Sequence, residues 1–558
     1  MNRIRTVLDL IARLPRVLRT LAPLRPAQLG AQIHHGLVGL GAPRRAVGAA
    51  PTLAIARPQT PFLDPPGHLK ALGGTRIEML GTAFELGQSV DWKTREQGPL
   101  FAYQLHQHEY LRLAEFTASE RARRLLDWIH HSPTGVGWDP HPISLRLICW
   151  GKLLTTPGAL DADERLRSEM LHSMSDQLET LAHGLEIRLQ ANHLLSNLIS
   201  VVFSGLLLDG SSSGAWRDRT DALLDELDAQ IRPDGGHEER SPMYHSLLLE
   251  NLLDLLNLCR AEPTRAPAGL ADGLSQTASR MLGALELWTH LDGRIALFAD
   301  SAFDFAAEPR SLREYAARLG IPCPANFLSG VLPQTGYLRL RAGVFDLIAS
   351  VAGPSPAHQP GHAHCDALSF ELSVAGDRLV TDTGLFEYLP GPRRDRARAT
   401  ASHATIQVDR EEQAEIWAAH RIGGRPVVEL TAWDEAGSAE ATCRGWSRNA
   451  PLHRRLFSVE SEGVTILDRV EGPCREVRVC LPIDPAWQVE LVAGRARARR
   501  DSEKGMTCSV EIELAKTFEW TLERQPYYPS FGCEVDRYVL VGVGSRCDEA
   551  VTRIRLVD

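Results

Sequence analysis

The sequence predicts an all-α domain followed by an all-β domain. Three observations carry that prediction. The chain has 558 residues, too many for one ordinary hydrophobic core, so two large domains are expected. From about residue 100 to 320, apolar residues recur at three- and four-residue spacing, the period of an amphipathic helix. After about residue 325 the pattern changes to apolar–polar alternation, rich in β-branched residues and punctuated by Gly, Asp and Pro. That is the pattern of strands.

In chain order, the first element is MNRIRTVLDLIARLPRVLRTLAPLRPAQLG, which is basic and amphipathic. Arg residues interrupt every apolar run, and no apolar stretch leads into a small-residue cleavage site, so it does not read as a secretory signal. A helix packed on the main body is expected here, with contact to an anionic membrane surface as the alternative. Residues 41–70 are rich in Pro, Gly and Ala and make a connector. Residues 1–70 are therefore an N-terminal segment and linker, residues 71–325 the helical domain and residues 326–558 the β domain. The helical domain holds LRLAEFTASERARRLLDWIHH, RLRSEMLHSMSDQLETLAHG, NHLLSNLISVVFSGLLLDG, RTDALLDELDAQI and YHSLLLENLLDLLNLCRA, divided by short Gly, Pro and Asp turns. Successive hairpins of this kind close into an α/α toroid or extend as a solenoid. In the β domain, GYLRLRAGVFDLIASVAG, ALSFELSVAGDRLVTDTG, RRLFSVESEGVTILDRVEG and DRYVLVGVG are among many closely spaced strands. Antiparallel sheets packed as a β-sandwich are the expected outcome, with a cleft at the domain junction.

The net charge of −9 weighs against a nucleic-acid partner. It leaves an anionic glycan open, because a cleft can be locally basic. No stretch reaches the roughly 20 apolar residues that span a bilayer. A cytoplasmic location is the expectation, with export to the periplasm by another route as the alternative. Ten cysteines occur singly, with no CxxC pair, and most are expected to be reduced core thiols.

Four segments carry chemistry. In QANHLLSNL, Asn192 and His193 open an apolar helix, and capping by Asn192 is the structural alternative. In RPDGGHEERSPMYHSLLLENLLDLL, Ser241 is a good N-cap and Pro242 a good first residue. Tyr244 then falls in the first turn, where the helix dipole favours a phenolate, with Glu238, Glu239 and His245 nearby in sequence. In GHAHCDALSFEL, His362 and His364 sit two apart before a strand, so an extended backbone points both to one face. In VTDTGLFEYLPGPRRDRARATASHATIQVD, Asp382, Tyr388, an arginine cluster and His403 follow. His364, Asp382 and His403 form a set that suits zinc. On WDPHPISLRLICW, Arg146 and Trp150 lie at i and i+4, and they and Trp138 are candidates to line a sugar groove, with core packing the alternative for the tryptophans. Glu238 joins them as a substrate-binding candidate.

Together these segments resemble the heparinase II/III family of polysaccharide lyases, across most of residues 80–480. The resemblance implies an α/α toroid and an antiparallel β-sandwich with the cleft between them. It places Asn192 and His193 at a substrate carboxylate, Tyr244 at the catalytic tyrosine and His362 at the catalytic histidine. It makes His364, Asp382 and His403 the ligands of one structural Zn2+, and puts Tyr388 where some relatives have a second active-site tyrosine. Ala404 follows His403 where the family often has Asn, but the ligand itself is kept. The implied activity is β-elimination on a uronic-acid-containing glycan, a heparan-like or alginate-like anionic polysaccharide. The C5 proton is removed, the C4 oxygen is expelled, and Asn192 and His193 stabilise the charge that develops. Tyr244 and His362 are the two acid–base candidates, and their division is open. A uronate C5-epimerase and a non-catalytic glycan-binding protein of a polysaccharide biosynthesis system are the alternatives. A glycoside hydrolase needs a facing carboxylate pair, whereas Glu238 and Glu239 are merely adjacent.

Overall fold

A computed structural model describes residues 13–39, 41–161, 163–210, 215–323, 329–501 and 507–557. Residues 1–12 of the basic N-terminal segment lie outside this set. Residues 13–21 and Pro26–Val38 are helical. Their inward side is tied to the body, with Arg16 and Arg19 both paired to Glu415. Leu14, Leu18, Leu29, Ile33 and Leu37 stay exposed on the other side. The connector then runs along the helical domain, held by Arg45 on Asp176 and by pairing of Thr52–Leu53 with Leu208–Asp209.

Helices fill the region to Arg318, as their periodicity predicts. Pro140–Thr155, Ala191–Leu207 and Pro242–Ala261 are buried almost along their whole length. They pack on one another in sequence order. Ala118–His131, Glu164–His183 and Leu270–Leu287 bury one stripe each and lie outside them. This two-layer arrangement explains why the inner segments read as nearly continuous apolar runs and the outer ones as amphipathic. Local signals set the ends: Thr117 and Glu120 form a capping box, and the Ser241 hydroxyl accepts the Tyr244 N–H at 3.2 Å, ahead of Pro242.

From Gly330 onward the chain is mainly strands. A five-stranded antiparallel sheet (330–332, 337–342, 345–350, 370–374, 377–380) faces an eight-stranded one that includes Leu452–Glu460 and Gly463–Glu471. Leu340, Leu347 and Leu372 share one core with Phe457, Ile466 and Ile512. The eight-stranded sheet keeps the alternating pattern. Strands Phe345–Ser350 and Phe370–Val374 do not: every residue in them is buried. Their second face lies against the helical domain, where Tyr337 and Ile348 meet Trp288 and Phe298, and Glu371 pairs with His290. The polar residues of those strands thus face a domain interface rather than water.

A three-stranded sheet, Lys70–Gly73, Arg76–Met79 and Thr82–Glu85, is not foreseen by the sequence patterns. It reaches the β domain at Gly81, whose φ is +69°, and a Cβ there would lie 2.8 Å from the Phe531 carbonyl oxygen. All ten cysteines are free, and Cys149, Cys259, Cys365, Cys443, Cys480 and Cys547 are buried, as expected of core thiols. Among the described residues no helix is long and apolar enough to cross a membrane.

Candidate active site

The helical domain contributes Asn192, His193, Glu239 and Tyr244; the β domain contributes His362, Tyr388 and Arg394. Tyr244, placed by the Ser241 cap, has its ring centroid 4.0 Å from that of His362. Its phenol oxygen lies 2.8 Å from that of Tyr388, a hydrogen bond that crosses the junction. The sequence expectation of a phenolate at Tyr244 is overturned. Burial, with Asp300 and Glu239 nearby, drives its pKa well up, against the hydrogen bond from Tyr388. Tyr388 is raised as well, by burial and by Tyr244. The dipole of one helix end is outweighed by loss of solvent.

His362 is oriented by a residue that sequence reasoning missed. Its Nδ1 donates to Asp300 Oδ2 at 2.8 Å, and Nε2 lies 3.9 Å from Glu239 Oε2. Asp300 also takes His364 Nε2 at 2.8 Å and both terminal nitrogens of the buried Arg394. Burial opposes its charge, but Arg394 and the two histidines hold its carboxyl well below the usual range. Asp300 lies in LFADSAFDF, a stretch with no motif to mark it.

Asn192 is not the helix cap. Gln190 holds that position at φ +64°, and Ala191 follows at +49°. This left-handed pair is costly for non-glycine residues and turns the Asn192 side chain inward. Its amide donates to Glu239 at 2.8 and 3.0 Å, and its backbone N–H adds a third bond at 3.1 Å. The Asn192 amide is thus committed to a protein carboxylate. His193 Nδ1 lies 3.1 Å from Glu186 Oε2, and the His141 ring lies 4.4 Å from the His193 ring. Burial opposes charging His193, but Glu186 outweighs it and raises the pKa. Glu186 is held down to about 2, His193 overcoming its burial, while burial lowers His141 to about 3. Glu186 thus favours the charged form of His193, and burial the neutral form of His141.

Asn192, His141 and Tyr244 line a cavity of about 130 Å³ that runs into the helical domain past Gln104 and Lys152. A second space of about 550 Å³, lined by Gly81, Gln97, Phe386, Tyr388, His420 and Phe531, reaches the site along the junction.

Two proposed groove residues are elsewhere. Arg146 and Trp150 are fully buried, Arg146 donating to Gln177 and the His106 carbonyl and Trp150 to His108. They share a helix face as spaced, but that helix is an inner one, so the face is core. Trp138 is half-buried, its ring stacked on Trp128 and its N–H on the Ser132 carbonyl. Glu238 is buried beside the site, and burial followed by Glu239 pushes its carboxyl up to about 7.

His364, Asp382 and His403 are brought together. All three are buried and offer donor atoms within 4.8 Å of one another. His364 Nδ1 and His403 Nε2 have no hydrogen-bond partner, while the opposite nitrogens are held by Asp300 and Asp382. Asp300 on the far nitrogen orients His364 as metal-binding histidines are oriented; Asp382 bonds His403 Nδ1 directly, so a zinc ion shared by the three would take the place of that hydrogen bond, and the His/Asp/His donor set suits zinc.

The chain belongs to the heparinase II/III family: the model of the heparinase II/III N-terminus matches residues 77–304, and that of the heparinase II/III-like C-terminal region residues 325–534. Its fold is similar to that of heparinase III, with a TM-score of 0.69 at 16% identity over 85% of this chain and 80% of that one. It is also similar to a mutant of the heparan sulfate lyase HepC from Pedobacter heparinus, with a TM-score of 0.58 at 18% identity over 88% and 81%. A curated relative, FtsZ-localized protein C of Caulobacter vibrioides, is 26% identical over 422 residues, 72% of this chain and 70% of that protein.

Proposed function

We propose that the chain is a polysaccharide lyase that cleaves a uronic-acid-containing glycan by β-elimination. The observation that carries this is the Tyr244–His362–Tyr388 cluster at the junction, with His362 fixed by Asp300. On this reading the helices form an α/α toroid and the facing sheets a β-sandwich, with the sugar chain between them.

The residues divide the chemistry as follows. The His193 imidazole, whose charged form Glu186 favours, faces the uronate carboxylate and stabilises the enolate-like charge. Asn192 joins it when its amide turns from Glu239. Asp300 accepts the hydrogen bond of the His362 Nδ1–H and so favours the tautomer with a lone pair on Nε2, that of a general base. Tyr244 is a neutral phenol, the form that protonates a departing oxygen, with Tyr388 hydrogen-bonded to it. His362 accordingly takes the C5 proton and Tyr244 supplies the one at O4. Zinc held by His364, Asp382 and His403 would be structural, ordering the segment that presents His362.

Ultraviolet absorbance on a panel of uronic-acid polysaccharides tests the reading, because elimination alone leaves a conjugated unsaturated uronate. Deuterium uptake at C5 without cleavage would replace it with the epimerase, and binding without either reaction with a glycan-binding role. The relative localised with FtsZ favours a second reading of place rather than chemistry, in which this chain works where FtsZ gathers. A fluorescent fusion spread evenly through the cell would remove it.

A further inference from the structure

We infer that residues 13–38 wall off one end of the interdomain cleft, so that a glycan reaches the acid–base cluster only as a chain terminus. The chemistry of this inference rests on the lyase reading above; its geometry rests on the fold alone.

The segment lies outside both stretches matched by the family models, 77–304 and 325–534. It holds both walls of the cleft at once. On the β domain, Arg16 and Arg19 pair with Glu415, and Trp417 donates its indole N–H to Thr20. On the helical domain, Arg25 donates to the Gln190 side chain at 3.0 Å. One turn later the Gln28 amide returns to the β domain, reaching the His358 carbonyl at 3.3 Å.

These anchor points adjoin the site. Gln190 is two residues before Asn192, and His358 is four before His362. Glu238, next to Glu239, lies 3.6 Å from His358 Nε2 and feels the charge of Arg25. Gln28, Glu238 and His358 are 2, 2 and 7% exposed. A sugar chain running between the domains on this side would have to break bonds to both walls and uncover these groups. By contrast, the space lined by Gln97, Phe386, Tyr388 and His420 has no residue of the segment in its walls. It is the open way in.

A cleft open at one end takes a chain by its terminus and cleaves near that terminus. Each event is balanced without a co-reactant. The C5 proton goes to the base, its electron pair forms the C4–C5 double bond, and the C4–O bond breaks with its electrons on an oxygen that is then protonated. The product is short, and the remaining polymer stays long until it is consumed.

The test compares the full chain with a full-length variant carrying Arg16→Ala, Arg19→Ala, Arg25→Ala and Gln28→Ala. These substitutions release the segment and touch no acid–base residue. For the full chain, absorbance should rise while viscosity holds, with only the shortest unsaturated product at early times. For the variant, viscosity should fall ahead of absorbance and intermediate lengths should appear. A fall in viscosity ahead of absorbance in the full chain, or only the shortest product from the variant, would overturn the inference. A second arm uses binding of a uronic-acid oligosaccharide carrying bulky groups at both ends, against the same oligosaccharide with free ends. Rejection of the blocked form by the full chain, and its acceptance by the variant, is expected. Equal binding of both forms by the full chain would overturn the closed end. No absorbance with any glycan would remove the lyase reading, and the binding arm would still decide the geometry.

Discussion

Tyr244 and His362 are separated by 118 positions in the chain and by 4.0 Å between ring centroids. Removing only the phenol hydroxyl, in Tyr244→Phe, should leave the fold and most glycan affinity intact. Turnover should fall by at least about 10²-fold, the loss typical of a general acid; wild-type turnover on a cleaved substrate would exclude Tyr244 from the chemistry. Glu238 offers a test by pH. Its folded pKa of about 7 lies above the ordinary value of 4.5, so the protonated carboxyl suits the fold. The favourable balance is complete below about pH 4.5 and declines as pH rises through 7, costing at most about 3 kcal/mol by pH 8. Glu238→Gln should therefore raise Tm at pH 8 and leave it nearly unchanged at pH 4; the same shift at both values would show that charge is not the cause. At this scale the sequence was legible where a residue sits in a local pattern, as Tyr244 does behind Ser241 and Pro242. Asp300, Glu239 and Arg394 were not, because each acts on a partner remote in the chain, and Glu186, seven residues before His193, lies in no pattern that marks it. Arg146 and Trp150 show the converse limit: spacing says that two residues share a helix face but not which face.

The helix Pro242–Ala261 depends on its first turn for more than stability. The Ser241 hydroxyl accepts the Tyr244 N–H and also donates to the Asp300 carbonyl at 2.7 Å. Ser241→Ala should cost about 1 kcal/mol as a lost cap, read by urea unfolding. It should also lower turnover, because the same hydroxyl relates the tyrosine to the segment that orients His362. Loss of stability with unchanged turnover would separate the two roles. The elements themselves were largely readable. Helical spacing ends and strand alternation begins within a few residues of the observed change between Arg318 and Gly330. The sheet of residues 70–85 was not, because its strands are four residues long and their burial is supplied by Phe531 and other distant groups. The left-handed turn at Gln190 and Ala191 was hidden too, since neither residue type announces it.

For the molecule as a whole, zinc is the first thing to measure. Protein purified without chelator should carry about one zinc per chain at His364, Asp382 and His403. Its removal should lower Tm, because these buried donors would lose a shared partner; metal-free protein of unchanged stability would end the assignment. The zinc set was visible as residue types in the sequence, but the meeting of its three donors within 4.8 Å is visible only in the fold.

The hydrogen bond between Tyr244 and Tyr388 joins two domains whose contact is itself packed, Leu385, Tyr527 and Phe531 of the β domain sharing the helical core. Turnover is therefore a gauge of docking as well as of chemistry. A displacement of about 1 Å at a reacting pair can cost about 10²-fold in rate, a shift small enough to leave most core packing in place. On heating, activity should disappear at a temperature below that at which helices and strands melt by circular dichroism; coincident loss would mean that the domains part only when they unfold. Anything that shifts one domain on the other, such as a glycan, a neighbouring protein or a change at Gly81, would then act as a throttle without touching a reacting atom.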